Sequence, residues 1–155
     1  MHSANFALAP ATLTDADAIA PLFDAYRQFY EQPADLARSR RFIAERLRLG
    51  ESHIILARSR TPDCAAVGFT QLYPLFSSTV LRRVWVLNDL FVIPAWRRNG
   101  VGRALLLAAR DFAVSTQAAE MFLETARGNT IAQAAYEALG WQRESVFYKY
   151  NLPLD

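Results

Sequence analysis

The pattern of apolar and polar positions divides the chain into a series of short elements. Residues 5–9 alternate weakly and stop at Pro10, which predicts a first strand. Thr14 offers a helix N-cap with Asp15 and Asp17 behind it. Ile19, Leu22, Phe23, Tyr26, Phe29 and Tyr30 then recur at helical spacing. Pro21 conflicts with a straight helix, so the helix either bends there or becomes regular beside it. A second helix is predicted from near Pro33, with Phe42, Ile43, Leu47 and Leu49 as its apolar stripe and Gly50 as its stop. Residues 53–57 and 65–73 read as strands separated by the turn signal Thr61-Pro62-Asp63. Gly68 marks a bulge or a close approach in the second of them. Residues 84–93 are apolar on both faces, as in a central strand, and Pro94 closes them.

An apolar helix is predicted over residues 101–114, a short strand over 120–125 and a helix over 129–139 ending at Gly140. Residues 141–152 are expected to hold one or two final strands. Consecutive strands in the middle of the chain predict antiparallel pairing, and the later strand–helix–strand units predict crossovers. The expected fold is therefore α/β (α+β). It has a mixed, mostly antiparallel central sheet of six to seven strands, flanked by about four helices. No repeat, low-complexity tract or linker interrupts the pattern, which predicts one domain over residues 1–155.

The chemistry concentrates after the central strand, in Arg97-Arg98-Asn99-Gly100-Val101-Gly102-Arg103. A helix beginning there presents unpaired N–H groups and the positive end of its dipole. Glycine lets a ligand approach the backbone without a Cβ in the way. Such a loop suits a pyrophosphate. A Walker loop would need Gly-Lys-Ser/Thr, but Gly102 is followed by Arg103 and Ala104. A dinucleotide fingerprint would need a third glycine where Leu105 stands. Further on, Asn129 and Tyr136 are seven residues apart on a predicted helix and share one face, with Ala132 between them. Tyr136 could there donate a proton to a leaving group, or be an ordinary core aromatic.

Two motifs together carry a resemblance: Val92-x-Pro94-x-x-Arg97-x-x-Gly100-x-Gly102, then Asn129-x-x-Ala132-x-x-x-Tyr136-x-x-x-Gly140-Trp141. In kind, order and spacing they resemble the GCN5-related N-acetyltransferase (GNAT) family, whose members commonly carry phenylalanine where Trp141 stands. The order of elements is similar over roughly residues 6–152. The resemblance implies acetyl-CoA as acyl donor and transfer to a primary amine by direct attack, with no enzyme nucleophile. It implies that Leu90, Phe91 and Val92 offer backbone groups to the pantetheine arm. Residues Arg98, Asn99, Gly100, Val101, Gly102 and Arg103 would hold the pyrophosphate, with Arg97 adding positive charge. Asn129 and Ala132 would face the pantetheine, and Tyr136 would protonate the departing thiolate. The family's strand-splaying bulge is expected near residues 88–91.

The acceptor side is less determined. Relatives acting on polyamines often carry Glu-Asp where this chain has Asn88-Asp89. Asp89 is the candidate general base, directly or through water, if its side chain faces the site. Glu124 is an alternative. The first helical pair, which covers the acceptor in the family, brings Tyr26, Tyr30, Glu31 and Asp35. The acids could attract a cationic amine, and Arg38, Arg40 and Arg41 could instead attract a carboxylate. The expected acceptor is a small molecule such as a polyamine or an amino acid. A protein lysine or N-terminus, or acyl-CoA binding without catalysis, are the alternatives. Family habit also implies homodimer formation.

Bulk properties narrow this picture only slightly. The 155 residues carry a net charge of +2 and are 52% hydrophobic, which gives no support to nucleic-acid binding or disorder. The single Cys64 excludes an intrachain disulfide, and its lack of a motif partner suggests a structural role. No metal site is expected. Neither a secretory signal nor a membrane-spanning run is legible, so a soluble, cytoplasmic protein is expected.

Overall fold

A computed structural model describes residues 5–154. They fall into two compact units, divided in sequence after Leu123. In the first unit, five strands form one sheet in the order β1-β2-β3-β4-β5: β1 Phe6–Pro10, β2 His53–Ser59, β3 Ala66–Ser77, β4 Arg82–Val92 and β5 Glu120–Phe122. The first three pairings are antiparallel and β4–β5 is parallel. Helix α1 (Ala16–Phe29) and helix α2 (Leu36–Leu49) follow β1, and α3 (Val101–Ser115) is the crossover between β4 and β5. The second unit contains α4 (Thr130–Glu137). The mixed, mostly antiparallel sheet with four α-helices matches the sequence expectation. Five strands form rather than six or seven.

The missing strands are those expected in residues 141–152. Val146, Phe147, Tyr148, Tyr150 and Leu152 are all exposed, and no ladder forms on this segment. Strand propensity alone does not hold a strand whose N–H and C=O groups find no neighbouring chain.

Local chemistry explains the other boundaries. The chain enters α1 through a 3-10 turn at Leu13–Asp15, where the Thr12 N–H donates to Asp15 Oδ2 at 2.8 Å, so Thr12 caps the turn and Asp15, not Thr14, stands at the N-cap of α1. α1 continues through Pro21, whose ring lies exposed. Asp35 caps α2 by accepting from the Arg38 N–H at 2.9 Å, and Gly50 ends it with φ +64°.

Apolar side chains cover both faces of the sheet. Ile19, Leu22 and Phe23 of α1 and Ile43 of α2 pack with Ile54, Leu56, Phe69 and Phe91 on one face. Val101, Leu105 and Ala109 of α3 are buried, and Val101 approaches Gly68 on the other face. A Cβ at Gly68 would lie 2.9 Å from the Phe91 carbonyl oxygen and 3.4 Å from Val101 Cγ1. Gly68 is thus the close-approach point that lets the start of α3 settle over the end of β4.

Candidate active site

Two irregularities at β4 create the site. The first is a bulge. Gln71 pairs with Asp89 but Leu72 pairs with Leu87, leaving Asn88 as the extra residue. Paired residues share a face, so Phe91 and Asp89 point with Phe69 and Gln71 toward α1 and α2. Strict alternation would send Leu87 the same way. The bulge instead returns it to the face of Leu72 and α3. The bulge lies where the family resemblance placed it. The second irregularity is the shortness of β5, all three of whose residues are paired. β5 pairs with β4 only at Val84, Trp85 and Val86, so the edge of β4 from Leu87 through Leu90, Phe91 and Val92 is not laddered to β5.

Asp89 lies at the buried end of a cavity of about 460 Å³ on the α1–α2 face. Its Oδ2 accepts from Gln71 Nε2 at 2.6 Å and its Oδ1 from Asn88 Nδ2 at 3.0 Å. The Tyr26 hydroxyl donates to the Asn88 carbonyl at 3.1 Å and also lies within reach of the Asp89 carboxylate. Burial is the largest influence on Asp89 and pushes its carboxyl above the usual range, although Gln71, Asn88 and Tyr26 each favour the ionised form. Gln71 is itself fully buried, with Oε1 accepting from the Ser52 hydroxyl at 2.8 Å. The relay Ser52–Gln71–Asp89 was not anticipated. Its signal was the polar pair Thr70-Gln71 inside an otherwise apolar strand.

The cavity walls are aromatic. Phe23, Tyr26, Tyr30, Phe42 and Tyr73 line it. Phe23 stacks on Phe42 at 5.5 Å, and Tyr26 meets Tyr30 edge-on at 5.1 Å. Burial and the neighbouring Asp89 raise the Tyr73 phenol well above its ordinary range. Asp24, buried behind this wall, accepts from the Asp35 N–H at 3.0 Å, the Ser39 hydroxyl at 2.9 Å and Arg27 at 3.2 Å. Burial opposes its ionisation, but these donors outweigh it and hold the carboxyl below the usual range. Asp24 therefore fixes the α1–α2 connection that closes the cavity. Of the acceptor candidates, Tyr26, Tyr30, Asn88 and Asp89 come together here. Glu31 does not line the cavity, and Asp35 is occupied as a helix cap.

At the end of β4 the chain turns into α3. Arg98 and Gly100 take left-handed conformations, with φ +63° and +82°. Gly100 supplies no side-chain cap, and the first helical bond is Ala104 N–H to the Gly100 carbonyl at 3.0 Å. The N–H groups of Val101, Gly102 and Arg103 precede that bond, so the helix leaves them available. An added Cβ at Gly100 would have nothing within 4 Å, so the backbone is open to an incoming group. Arg98, Asn99 and Arg103 are exposed. Arg97 is anchored within the loop. Its Nε donates to the Val92 carbonyl at 2.9 Å and its guanidinium lies over the Phe91 ring, so it braces the loop. These features fit a pyrophosphate.

In the second unit, Asn129 is the N-cap of α4 rather than a member of its face. Its Oδ1 accepts from the Ala132 N–H at 3.3 Å. Tyr136 lies inside α4, half-buried, with its ring 6.1 Å from Trp141. Glu124 lies beyond the end of β5, and its carboxylate is paired with the Lys149 ammonium. Among the described residues no cluster of histidine, cysteine, aspartate or glutamate could hold a metal, and no helix is long and apolar enough to cross a membrane.

A bulged central strand, a buried carboxylate beside the bulge and a helix N-terminus at the end of the same strand make up the site. Residues 19–141 match the model of the acetyltransferase (GNAT) family. The chain belongs to that family and is an N-acetyltransferase; the family uses acetyl-CoA. It is 43% identical over 142 residues to the Uncharacterized N-acetyltransferase YhfO of Bacillus subtilis (strain 168), covering 92% of this chain and 93% of that one. It is similar to the crystal structure of a probable acetyltransferase, with a TM-score of 0.90 and 41% identity, over 96% of this chain and 98% of that chain. Over 65 residues, or 41% of this chain and 45% of the relative, it is 32% identical to the aminoglycoside N(6')-acetyltransferase type 1 of Salmonella typhimurium (strain LT2).

Proposed function

We propose that this protein transfers an acetyl group from acetyl-CoA to the primary amine of a small molecule. The observation that carries the proposal is the position of Asp89. It is a buried carboxylate lining a partly open aromatic cavity, on the strand whose edge beyond Val86 is not laddered to β5. The small cavity favours a small acceptor over a protein segment. The partial relative named as an aminoglycoside acetyltransferase supports an amine of a small molecule as the acceptor class.

In this reading the N–H groups of Val101, Gly102 and Arg103 hold the pyrophosphate, with Arg98 and Arg103 adding charge and Asn99 flanking them. The backbone of Leu90, Phe91 and Val92 receives the pantetheine arm. Acetyl-CoA supplies an acetyl carbon activated as a thioester. A free alkylammonium has a pKa near ~10, so the acceptor needs its proton removed before it can attack. Asp89 accepts that proton, and its raised basicity suits the task. As the new N–C bond forms and the S–C bond breaks, Tyr136 donates a proton to the departing sulfur. Asn129 and Ala132 border the pantetheine in the same reading.

The test is a thiol-release assay with acetyl-CoA across polyamines, amino acids, aminoglycosides and lysine peptides. Amine-dependent thiol release with small molecules is expected. Release only with peptides, or acetyl-CoA binding without release by any amine, would overturn the proposal.

A further inference from the structure

The charges around the cavity narrow the acceptor. Among the described residues, three charged side chains line it: Arg27, Arg38 and Asp89. Arg27 is already occupied by Asp24 at 3.2 Å, the Pro33 carbonyl and Ser39. That leaves one carboxyl, buried at the far end, and one guanidinium, on an exposed residue. Arg38 also borders a neighbouring groove along α2 that is lined by Arg40, Arg41, Glu45 and Arg48, with Arg40 paired to Asp17.

A polycationic acceptor fits this poorly. Each further ammonium would need an acidic partner, but Glu31 lies outside the cavity and Asp35 accepts from the backbone of α2. Beyond Asp89, the walls offer rings. Phe23 is buried and stacked on Phe42 and Tyr26, and Arg46 lies over Phe42, so the ring surface left open is that of Tyr30 and the outer part of Phe42, each over a third exposed. Rings with accessible faces favour a flat apolar body by stacking.

We infer that the acceptor is a primary amine with a single positive charge, a planar aryl body held against Tyr30 and Phe42, and a carboxylate that pairs with Arg38. This rests on the acetyl-transfer reading for its chemistry, but the pocket's preference can be measured apart from it. Binding is measured by calorimetry in the presence of CoA, and turnover by thiol release with acetyl-CoA. The probes are phenylalanine and 4-(aminomethyl)benzoate, whose carboxylates lie near to and far from the amine, together with benzylamine and spermidine.

At least one of the two aryl carboxylates is expected to bind about tenfold or more tightly than benzylamine, the margin of one charge-assisted contact. Spermidine is expected to bind most weakly. In Arg38→Gln the ratio of aryl-carboxylate to benzylamine affinity should fall about tenfold. That substitution keeps the backbone N–H that Asp35 accepts. Tight aryl-carboxylate binding without thiol release by any amine would support this inference and overturn the acetyl-transfer reading. Thiol release led by spermidine, with neither aryl carboxylate bound, would do the reverse. An unchanged ratio in Arg38→Gln would remove Arg38 from the assignment and overturn the carboxylate.

Discussion

Gly68→Ala tests whether the close approach of β3 to the β4–α3 corner holds the donor loop in place. The added Cβ would meet the Phe91 carbonyl oxygen at 2.9 Å, Val92 Cγ2 at 3.2 Å and Val101 Cγ1 at 3.4 Å. The nearest atom is backbone and cannot rotate away, so restoring ordinary contact requires about 0.5 Å of movement in β4 or α3. Overpacking of this kind costs roughly 1–3 kcal/mol. Gly68 does not occupy the left-handed region, so alanine also recovers about 0.4–1 kcal/mol by restricting the unfolded chain. The net expectation is a loss of about 1–2 kcal/mol. At about 2–4 °C per kcal/mol for a chain of this size, Tm should fall by roughly 2–8 °C.

Gly102→Ala is the internal control. Its Cβ would meet only Val92 Cγ2, at 3.9 Å, within α3. Helix propensity then favours alanine by about 0.5–1 kcal/mol. Urea unfolding of the three proteins reads both signs, and KM for acetyl-CoA should rise in Gly68→Ala because the displaced atoms border the loop. If Gly68→Ala were as stable as the parent, or if both substitutions moved stability the same way, the steric account of this corner would be wrong.

Asp89→Asn should lower kcat by about 10²–10⁴-fold and abolish the rise of kcat/KM with pH, a limb expected above the ordinary carboxylate range because burial raises this group. Linkage gives the stability sign. With the folded value raised, the native state holds more protons between the two values. The Asp89 contribution is therefore complete below the unfolded pKa of about 3.9 and is lost as pH rises through the folded one. Asp89→Asn should flatten that fall in a pH series of urea titrations; a steeper fall would contradict the burial of Asp89 beside Tyr26, Tyr73, Gln71 and Asn88. Tyr136→Phe should reduce kcat by about 10²-fold in steady-state assays if its phenol is the leaving-group acid, and an unchanged kcat would assign it a packing role. Gly100→Ala places a Cβ on a residue at φ +82° and should cost about 1–2 kcal/mol in unfolding assays while raising KM for acetyl-CoA.

Much of the fold was legible because its signals are local. Gly50, with φ +64°, and Pro94, which opens a 3-10 turn, act on their own neighbours wherever the chain goes. The helix stripe Ile19, Leu22 and Phe23 and the continuous apolar run of β4 likewise follow from spacing. Capping was less legible, since Thr12 and Thr14 are chemically equal candidates and only the turn geometry separates them. The tail was misjudged because residues 141–152 have strand-like composition, and pairing is not a property of a segment by itself.

The site divides along the same line. The sequence by itself determined the family, through the loop glycines, Asn129 and Tyr136 at fixed spacings, since helix starts depend on local residue order. Only the tertiary structure decided the facing of Asp89. Alternation would put Leu87 and Asp89 on one face, and the Asn88 bulge, defined solely by the pairing of Gln71 and Leu72, separates them. It also decided that Arg97 braces the loop, that Asp24 is consumed in holding the cavity wall, and that Arg38 borders the cavity where Glu31 does not. The reason is physical. The sign of charge around a pocket depends on which acids already have partners, and those partners lie on other elements of the fold.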